Sequence, residues 1–283
     1  MKSFAYLGKR IVLKSFNFFT FPVLTDWISR RFFETEEQVV VLTYHRVAPR
    51  GEDWELPAIL PSIFERELEY LNQHYHVISL DELVRALRDG FKTLPEKHGR
   101  RFVVVTFDDG YKDNYDFAFP LLKKYSIPAT FYISTGFIEN SETVSPSHKA
   151  MHRHSFMTWQ NIQEISHDSL MTIGAHTVTH PRLTSISLDQ VKEEMVFSKN
   201  VLEEKLNTKV TTFAYPFGTP CDYSTELGVL AKSVGFDSAV TVLQDFNTER
   251  TNPFEIRRVI AGFSLMGFKS HLSIVYARVR RLC

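Results

Sequence analysis

Cysteine is scarce in this sequence, with Cys221 and Cys283 as the only two among 283 residues. Two cysteines exclude the disulfide framework of a small secreted domain and are typical of a reducing compartment. The first residues also lack the pattern of a secretory signal peptide, because Lys9, Arg10 and Lys14 interrupt any apolar stretch. Neither end of the chain is long and apolar enough to span a bilayer. These absences favour a cytoplasmic protein.

The chain also has no formal net charge, since 33 Lys and Arg residues balance 33 Asp and Glu residues. We therefore expect no nucleic-acid partner. What is present suits a globular enzyme, because 43% apolar and 23% charged residues are ordinary values for a packed soluble core. Strand-like apolar runs alternate with helical patterns, as at residues 62–74, 159–165 and 187–206, and a helix begins after Ser79. The alternation predicts an α/β fold.

An apolar strand that ends in two carboxylates is the most informative motif. Residues 103–110 read Val-Val-Val-Thr-Phe-Asp-Asp-Gly, which predicts a buried strand followed by Asp108 and Asp109. α/β folds place their chemistry at the carboxyl ends of parallel strands. Neighbouring residues at such an edge point in different directions, so one carboxylate can bind a metal while the other acts as a base. The alternative is an ordinary turn, in which Asp-Asp-Gly is common.

A histidine pair follows a second strand-like run. Residues 173–180 read Ile-Gly-Ala-His-Thr-Val-Thr-His, and a helical turn would place His176 and His180 on one face. Two imidazoles and one carboxylate leave positions open for water or substrate, which is the arrangement of catalytic zinc sites. The alternative is an accidental pair, because the chain has 11 histidines. The preceding strand end weakens that alternative.

A third strand-like run ends in a proline turn. Residues 212–218 read Thr-Phe-Ala-Tyr-Pro-Phe-Gly. Pro216 has no N–H, whereas Phe217 and Gly218 keep theirs, so the turn can aim a backbone donor at a developing oxyanion. The alternative is a plain loop after a strand, since this motif alone is not diagnostic.

Together the three motifs resemble those of the NodB-like polysaccharide deacetylases, carbohydrate esterase family 4. The resemblance extends over roughly residues 39–259. It implies a distorted (β/α) barrel that uses a zinc-like divalent metal to remove N- or O-acetyl groups from sugars. It also implies that Asp109, His176 and His180 are the metal ligands. Asp108 would be the base, and the Phe217 N–H would be the oxyanion donor.

The sequence departs from the common family pattern in two places. Ala214 stands where the third motif usually has an arginine, and the usual C-terminal Leu-His-Asp motif is missing. His45, at the end of the strand-like residues 39–44, resembles the opening Tyr-His segment of the poly-N-acetylglucosamine deacetylase branch and is our candidate general acid. Arg258, or Arg257, resembles that branch's late arginine motif. The alternatives are a hydrogen-bonded strand-end histidine and a solvated arginine pair.

The basic residues collect at the two ends of the chain. Residues 1–33 hold six basic residues and one acid, and residues 256–283 hold six basic residues and no acid, which leaves 21 basic and 32 acidic residues between them. On a helical wheel, each end has seven apolar side chains on one side and basic residues around the rest. Basic amphipathic helices suit an anionic membrane surface. The alternative is that both helices pack on the folded domain. In the membrane case the apolar side chains should be exposed together, including Phe4, Phe16, Phe19, Leu272 and Val279.

These observations define one hypothesis. Residues 1–35 would be a basic amphipathic segment, 36–262 the deacetylase domain and 263–283 a basic amphipathic helix. The protein would be a cytoplasmic enzyme, peripheral on the inner membrane face, that uses zinc (or nickel, cobalt or manganese) to remove an acetyl or similar acyl group from an amino sugar. A lipid-linked sugar or a surface-glycan precursor would be its substrate. The alternatives are an exported deacetylase of a finished polymer and a non-catalytic carbohydrate-binding protein.

Overall fold

The fold was analysed in a computed structural model that describes residues 37–49, 58–96, 101–139, 155–262 and 264–272. Its strands are β1 (Val39–Tyr44), β2 (Tyr75–Val77), β3 (Arg101–Phe107), β4 (Ala129–Ile133), β5 (Met171–Ala175), β6 (Thr212–Ala214), β7 (Ser238–Val240) and β8 (Val259–Ile260). Its α-helices are α1 (Pro61–His74), α2 (Leu80–Asp89), α3 (Phe119–Tyr125), α4 (Thr135–Glu139), α5 (Trp159–Ser166), α6 (Leu188–Leu206), α7 (Thr225–Val234) and α8 (Leu265–His271).

All strand pairings among these elements are parallel. The strands lie in the order β7-β6-β5-β4-β3-β1-β8, and β2 pairs with the start of β3. The longest register joins β1 and β3, from Val39 opposite Phe102 to Tyr44 opposite Phe107. The sheet curls into a half-barrel with helices outside it, which confirms the predicted distorted (β/α) barrel. Because the strands are parallel, their carboxyl ends meet at one mouth.

Two apolar layers hold the sheet in this shape. The larger lies between the sheet and the outer helices, and Phe64, Phe107, Phe131 and Phe213 belong to it. The smaller fills the inside of the curl, where Leu80, Leu83 and Ala86 of α2 pack on the inward side chains of β1, β3 and β4. The three valines of the Asp-Asp motif divide between these layers, as alternation along a strand requires. The interior is therefore packed below the polar residues at the mouth.

Local sequence signals place most of the helices. Ser79 begins α2 with a capping box in which its hydroxyl accepts a hydrogen bond from the Glu82 N–H and the Glu82 carboxylate accepts one from the Ser79 N–H. Ser187 caps α6 in the same way with Gln190. The predicted helices at residues 62–74, 159–165 and 187–206 are confirmed within one or two residues.

The C-terminal helix departs from the prediction. Within the described residues α8 ends at His271, and both Phe268 and Leu272 are fully buried in the main core. Phe268 packs against Tyr70 of α1, with ring centroids 6.4 Å apart. The prediction that Leu272 is exposed on a membrane-facing patch is therefore wrong, because this helix buries its apolar side against α1.

The other residues that were predicted to face a membrane lie outside the described residues, namely Phe4, Phe16, Phe19 and Val279. No helix in the described part of the chain is both long enough and apolar enough to cross a membrane. The predicted division of the chain into residues 1–35, 36–262 and 263–283 stays a prediction.

A buried glutamate on α1 makes the stability of the fold depend on pH. Glu67 is fully buried, and the Tyr44 hydroxyl donates a hydrogen bond to it over 3.1 Å. Burial raises the pKa of Glu67 from its ordinary value of 4.5 to about 8, and the hydrogen bond from Tyr44 offsets only part of this. Between these two values the folded state binds more protons than the unfolded state, so the free energy of unfolding falls as pH rises.

Replacing Glu67 with glutamine should flatten that pH dependence. The wild-type protein should lose up to about 1.4 kcal/mol of stability per pH unit between pH 5 and 8 from this group. Urea unfolding at several pH values measures the slope. Glu69→Gln, an exposed carboxylate on the same helix, is the matched control and should keep the wild-type slope. An unchanged slope in Glu67→Gln would contradict the assignment.

Candidate metal and catalytic site

Asp108 and Asp109 leave the end of β3 in different directions. The Asp108 N–H continues the ladder by donating to the Tyr44 carbonyl over 3.0 Å. Asp109 and Gly110 then have φ angles of 76° and 85°, which turn the chain sharply at the mouth. As a result Asp108 faces Arg258, the residue that precedes β8, and Asp109 faces the two histidines. The predicted separation of the two carboxylates is what the backbone turn produces.

Asp109, His176 and His180 form a buried cluster suited to a metal ion. The Asp109 Oδ1 lies 3.5 Å from the Nε2 of His176 and 3.4 Å from the Nε2 of His180. Two ligands bound tetrahedrally at about 2.1 Å from zinc lie about 3.4 Å apart. Oδ1 is also buried and has no hydrogen-bond partner, a costly state for a carboxylate without a counter-charge. The donor set and its spacing therefore fit a divalent cation.

The segment from His176 to His180 is not helical, so the prediction that a helical turn brings the two histidines together is wrong. It is a bent loop after β5, in which Thr177 and His180 have φ angles of 67° and 57°. The His180 N–H donates to the Thr177 hydroxyl over 3.0 Å and closes the bend. His176 is oriented separately, because its Nδ1 lies 2.8 Å from the Ala214 carbonyl. Donation to that carbonyl leaves Nε2 as the atom available to a metal.

A glutamate that the sequence pattern did not single out supports this loop. Glu194 of α6 accepts hydrogen bonds from the N–H groups of Val178 and Thr179, over 2.7 and 3.0 Å, and from the Thr179 hydroxyl over 2.6 Å. One carboxylate thereby fixes two of the three residues between the histidines. No local signal distinguishes it from the exposed Glu193.

Glu194→Gln should weaken metal binding without unfolding the protein. An amide can accept fewer of the three hydrogen bonds, so the loop should hold the histidines less firmly, and losses of a supporting partner typically cost 10–100-fold in metal affinity. Competition with a zinc-binding dye measures the affinity. Glu193→Gln on the neighbouring exposed position should bind zinc like the wild type. Equal affinity in both variants would exclude a positioning role for Glu194.

Arg258 reaches Asp108 across the inside of the curl. Its guanidinium donates to both Asp108 oxygens, over 2.6 and 2.7 Å, and Arg258 is fully buried. Burial alone would raise the pKa of Asp108, but the positive charge of Arg258 and smaller contributions from histidines lower it below its usual value. Arg257 instead forms ion pairs with Asp245 and Glu255. Of the two candidates, Arg258 is thus the one that lies beside Asp108, the predicted base. Ala214, which stands at the usual arginine position, contributes only its backbone carbonyl, to His176.

His45 lies at the same mouth. It follows Tyr44 at the end of β1, is half-buried, and contributes to lowering the pKa of both Asp108 and Asp109. A general acid has to lie at this end of the barrel, near the metal ligands, and His45 does. The role itself stays a prediction.

The proline turn places Phe217 beside the histidines. Phe217 has a φ of 60°, and its ring packs edge-on against His180 with centroids 5.0 Å apart. The Gly218 N–H donates to the Pro216 carbonyl over 2.7 Å, which commits that donor within the turn. Gly218 has to be glycine, because a Cβ there would lie 2.8 Å from the Val242 nitrogen. Of the two predicted donors, Phe217 is therefore the one that stays a candidate for the oxyanion.

Comparisons with known proteins agree with this geometry. The polysaccharide deacetylase family matches residues 96–239. The deacetylase PplD of Streptococcus pyogenes, solved with acetate, is 25% identical and superposes with a TM-score of 0.70 over 85% of this chain and 99% of that one. IcaB from Ammonifex degensii is 27% identical, with a TM-score of 0.65 over 86% of this chain and 97% of that one.

Curated relatives resemble the chain over shorter parts of their own length. Poly-beta-1,6-N-acetyl-D-glucosamine N-deacetylase from Escherichia coli K12 is 28% identical over 141 residues, which are 49% of this chain and 20% of that protein. The matched part is 66% of the length of a Bacillus subtilis relative, which is 27% identical over 74% of this chain. The family match spans half of the chain and includes the Asp-Asp, His-His and Ala214 segments. The chain belongs to the polysaccharide deacetylase family, carbohydrate esterase family 4.

Proposed function

We propose that this protein is a divalent-metal-dependent hydrolase that removes N-acetyl groups from the amino-sugar units of a glycan. The observation that carries the proposal is the buried Asp109, His176 and His180 cluster beside the Arg258-held carboxylate of Asp108. A cluster that binds a cation next to an oriented base is the arrangement that metal-assisted hydrolysis requires. The deacetylase names of the similar proteins support the reaction class.

Each side chain of the site has a proposed task. When bound, a divalent ion would supply Lewis acidity toward the acetyl carbonyl and the attacking water. Asp108 accepts the proton of the water, and Arg258 keeps that carboxylate ionised and oriented. The Phe217 N–H donates to the developing oxyanion, a contact typically worth about 2.7–4 kcal/mol. His45 donates a proton to the leaving amine.

Each oxygen of Asp108 can serve as base although Arg258 already donates to both. A carboxylate offers roughly four acceptor positions, and Arg258 uses one on each oxygen. The Thr43 hydroxyl donates weakly to Oδ2 over 3.4 Å. Oδ1 thus has the larger remaining capacity for a substrate-side proton.

The substrate we favour is a polymer or oligomer of N-acetylglucosamine. Several similar proteins are named as deacetylases of poly-beta-1,6-N-acetyl-D-glucosamine. The lipid-linked sugar, the membrane contact and the cytoplasmic location stay hypotheses. They rest on the basic ends of the chain, and the burial of Phe268 and Leu272 removes part of their support.

A non-catalytic carbohydrate-binding protein on the same fold is a weaker alternative. Such a protein has no need for an Asp109 oxygen that is buried without a hydrogen-bond partner, or for a buried arginine that holds Asp108. Both features cost free energy unless a cation and a reacting group use them. The replacement of the usual arginine by Arg258 keeps the base supported, so the departure at Ala214 does not indicate lost activity.

Acetate release tests the proposed function. The purified protein should release acetate from N-acetylglucosamine oligomers, lose this activity after chelation and recover it with zinc. His180→Ala should stay folded, retain no stoichiometric metal by elemental analysis and be inactive with or without added zinc. Full activity in protein shown to be metal-free would overturn the metal-dependent mechanism. Failure to release acetate from any acetylated sugar or ester would leave the non-catalytic alternative.

A further inference from the structure

An arginine that has no role in the hydrolysis proposed above joins two parts of the candidate site. Arg182 comes two residues after His180, a predicted metal ligand. Its side chain extends over the proline turn, where the guanidinium carbon lies 4.1 Å from the centre of the Phe217 ring. Arg182 therefore connects the segment that carries a metal ligand to the turn that carries the predicted oxyanion donor.

A buried carboxylate holds the guanidinium of Arg182 in place. Nη1 of Arg182 donates to Asp222, whose side chain is only 1% exposed. Oδ2 of Asp222 also accepts hydrogen bonds from the Thr219 N–H over 3.3 Å and from the Thr219 hydroxyl. A carboxylate this deeply buried needs a counter-charge, and Arg182 supplies it. The ion pair thus fixes the guanidinium, although the Arg182 side chain is itself 52% exposed.

The backbone of Phe217 needs to be held by its neighbours. Phe217 has a φ of 60°, in the left-handed region that disfavours any residue with a side chain. On its C-terminal side the chain is fixed, because the Val242 N–H donates to the Gly218 carbonyl over 2.7 Å. A change of φ at Phe217 would therefore redirect the peptide group on its N-terminal side, which is the group that carries the Phe217 N–H.

The ring of Phe217 is the part of this residue that its neighbours hold. The guanidinium of Arg182 lies over the ring, where the π electrons attract a cation. The ring also packs edge-on against His180, with centroids 5.0 Å apart. An oxyanion donor helps only when it is aimed at the position of the oxyanion, and a displacement of about 1 Å can cost about 10²-fold in rate. The contacts of the ring therefore bear on the reaction.

We propose that Arg182 is a positioning residue, which pairs with Asp222, stacks on the Phe217 ring and thereby aims the Phe217 N–H at the oxyanion. The proposal rests on the proposed function and deepens it, because it adds a residue that acts through the oxyanion donor. Such a residue lowers the free energy of the transition state, in which the oxyanion develops, and contributes little to binding of the metal or of the acetylated sugar.

Removing the Arg182 side chain tests this role. Arg182→Ala should lower kcat for acetate release by about tenfold to hundredfold. KM for an N-acetylglucosamine oligomer, and the zinc affinity measured with a competing dye, should each stay within about twofold of the wild type. The affinity for a phosphonate analogue of the tetrahedral intermediate should fall by the same factor as kcat/KM, since only contacts of the transition state are lost.

A conservative variant keeps the test independent of folding. Arg182→Lys retains a counter-charge for Asp222, but an ammonium group cannot stack on the Phe217 ring as a planar guanidinium does. We expect it to recover part of the kcat that Arg182→Ala loses. Thermal unfolding verifies that each variant is folded, and Arg182→Lys alone carries the comparison if Arg182→Ala is unfolded.

A double-mutant cycle tests whether Arg182 acts through the ring. Phe217→Ala keeps the backbone N–H but removes the ring, so Arg182→Ala should add little further loss of kcat in that background. Thr184→Val is the matched control. The Thr184 hydroxyl donates to the Cys221 carbonyl over 2.9 Å, which is a second link between the same two segments and does not involve Phe217. Its removal should leave kcat close to the wild-type value.

Four results would overturn the positioning role of Arg182. They are an unchanged kcat in folded Arg182 variants, a fall in zinc affinity that accounts for the lower kcat, fully additive losses in the cycle with Phe217→Ala, and an equal loss in Thr184→Val. In each case acetate release by the wild type would still support the proposed function, so the failure of one proposal is distinguishable from the failure of the other.

Discussion

Replacing Asp108 with asparagine should lower kcat for acetate release by about 10²–10⁴, the usual contribution of a general base. The amide has the shape of the carboxylate and can still accept from Arg258, but it cannot take the proton of the attacking water. Metal content should be unchanged, because the predicted ligands are Asp109, His176 and His180. Elemental analysis and acetate release on the same preparation measure both quantities.

Two controls separate catalysis from stability in this experiment. Asp108→Asn leaves Arg258 buried without its counter-charge, which destabilises a fold by about 3–5 kcal/mol, so thermal unfolding must show that the variant is folded at the assay temperature. Asp116→Asn, a carboxylate with a 41% exposed side chain on the following turn, should keep wild-type activity. Near-normal turnover in folded, metal-loaded Asp108→Asn would contradict the role of base.

Replacing His45 with glutamine should reduce hydrolysis of an N-acetyl sugar far more than hydrolysis of an aryl acetate. An amine must be protonated to leave, and loss of a general acid typically costs about 10²–10⁴ in rate. A phenolate leaves without a proton, so the aryl ester should lose much less. Comparing kcat for the two substrates measures the difference.

The competing candidate for the acid is His271, which lies at the same mouth. Its Nδ1 is 2.6 Å from the Ile260 carbonyl, so this ring is already held by the backbone of β8. His271→Gln should therefore keep its kcat on N-acetylglucosamine. The same amide-specific loss in His271→Gln, with none in His45→Gln, would move the acid to His271.

The sequence by itself determined the elements and the chemistry that local patterns encode. The apolar run before Asp108 predicts a buried strand because alternate side chains point to opposite faces and both faces need apolar partners. The Ser79 and Ser187 capping boxes begin helices because they pair groups only three residues apart. The order of the three motifs was enough to identify the family and the distorted barrel.

The tertiary structure decided which distant side chains meet. Arg258 and Arg257 are equivalent in the sequence, yet only the folded β8 edge directs Arg258 to Asp108, 150 residues away. Glu194 looks like its exposed neighbour until α6 packs beside the histidine loop. The histidines converge through a bend with positive φ angles, not through the helical turn that their spacing suggests.

The apolar side of α8 gives the physical reason for this division. Its pattern is the same whether a membrane or α1 covers it, because amphipathicity records that a face is buried and does not record by what. In the folded protein α1 covers this face, and Gly262 lets the chain that enters α8 lie close to the helix, since a Cβ there would lie 2.6 Å from the Phe268 nitrogen. Local patterns depend on neighbours within a few residues, whereas contacts across the barrel depend on the order of strands, which only the complete fold specifies.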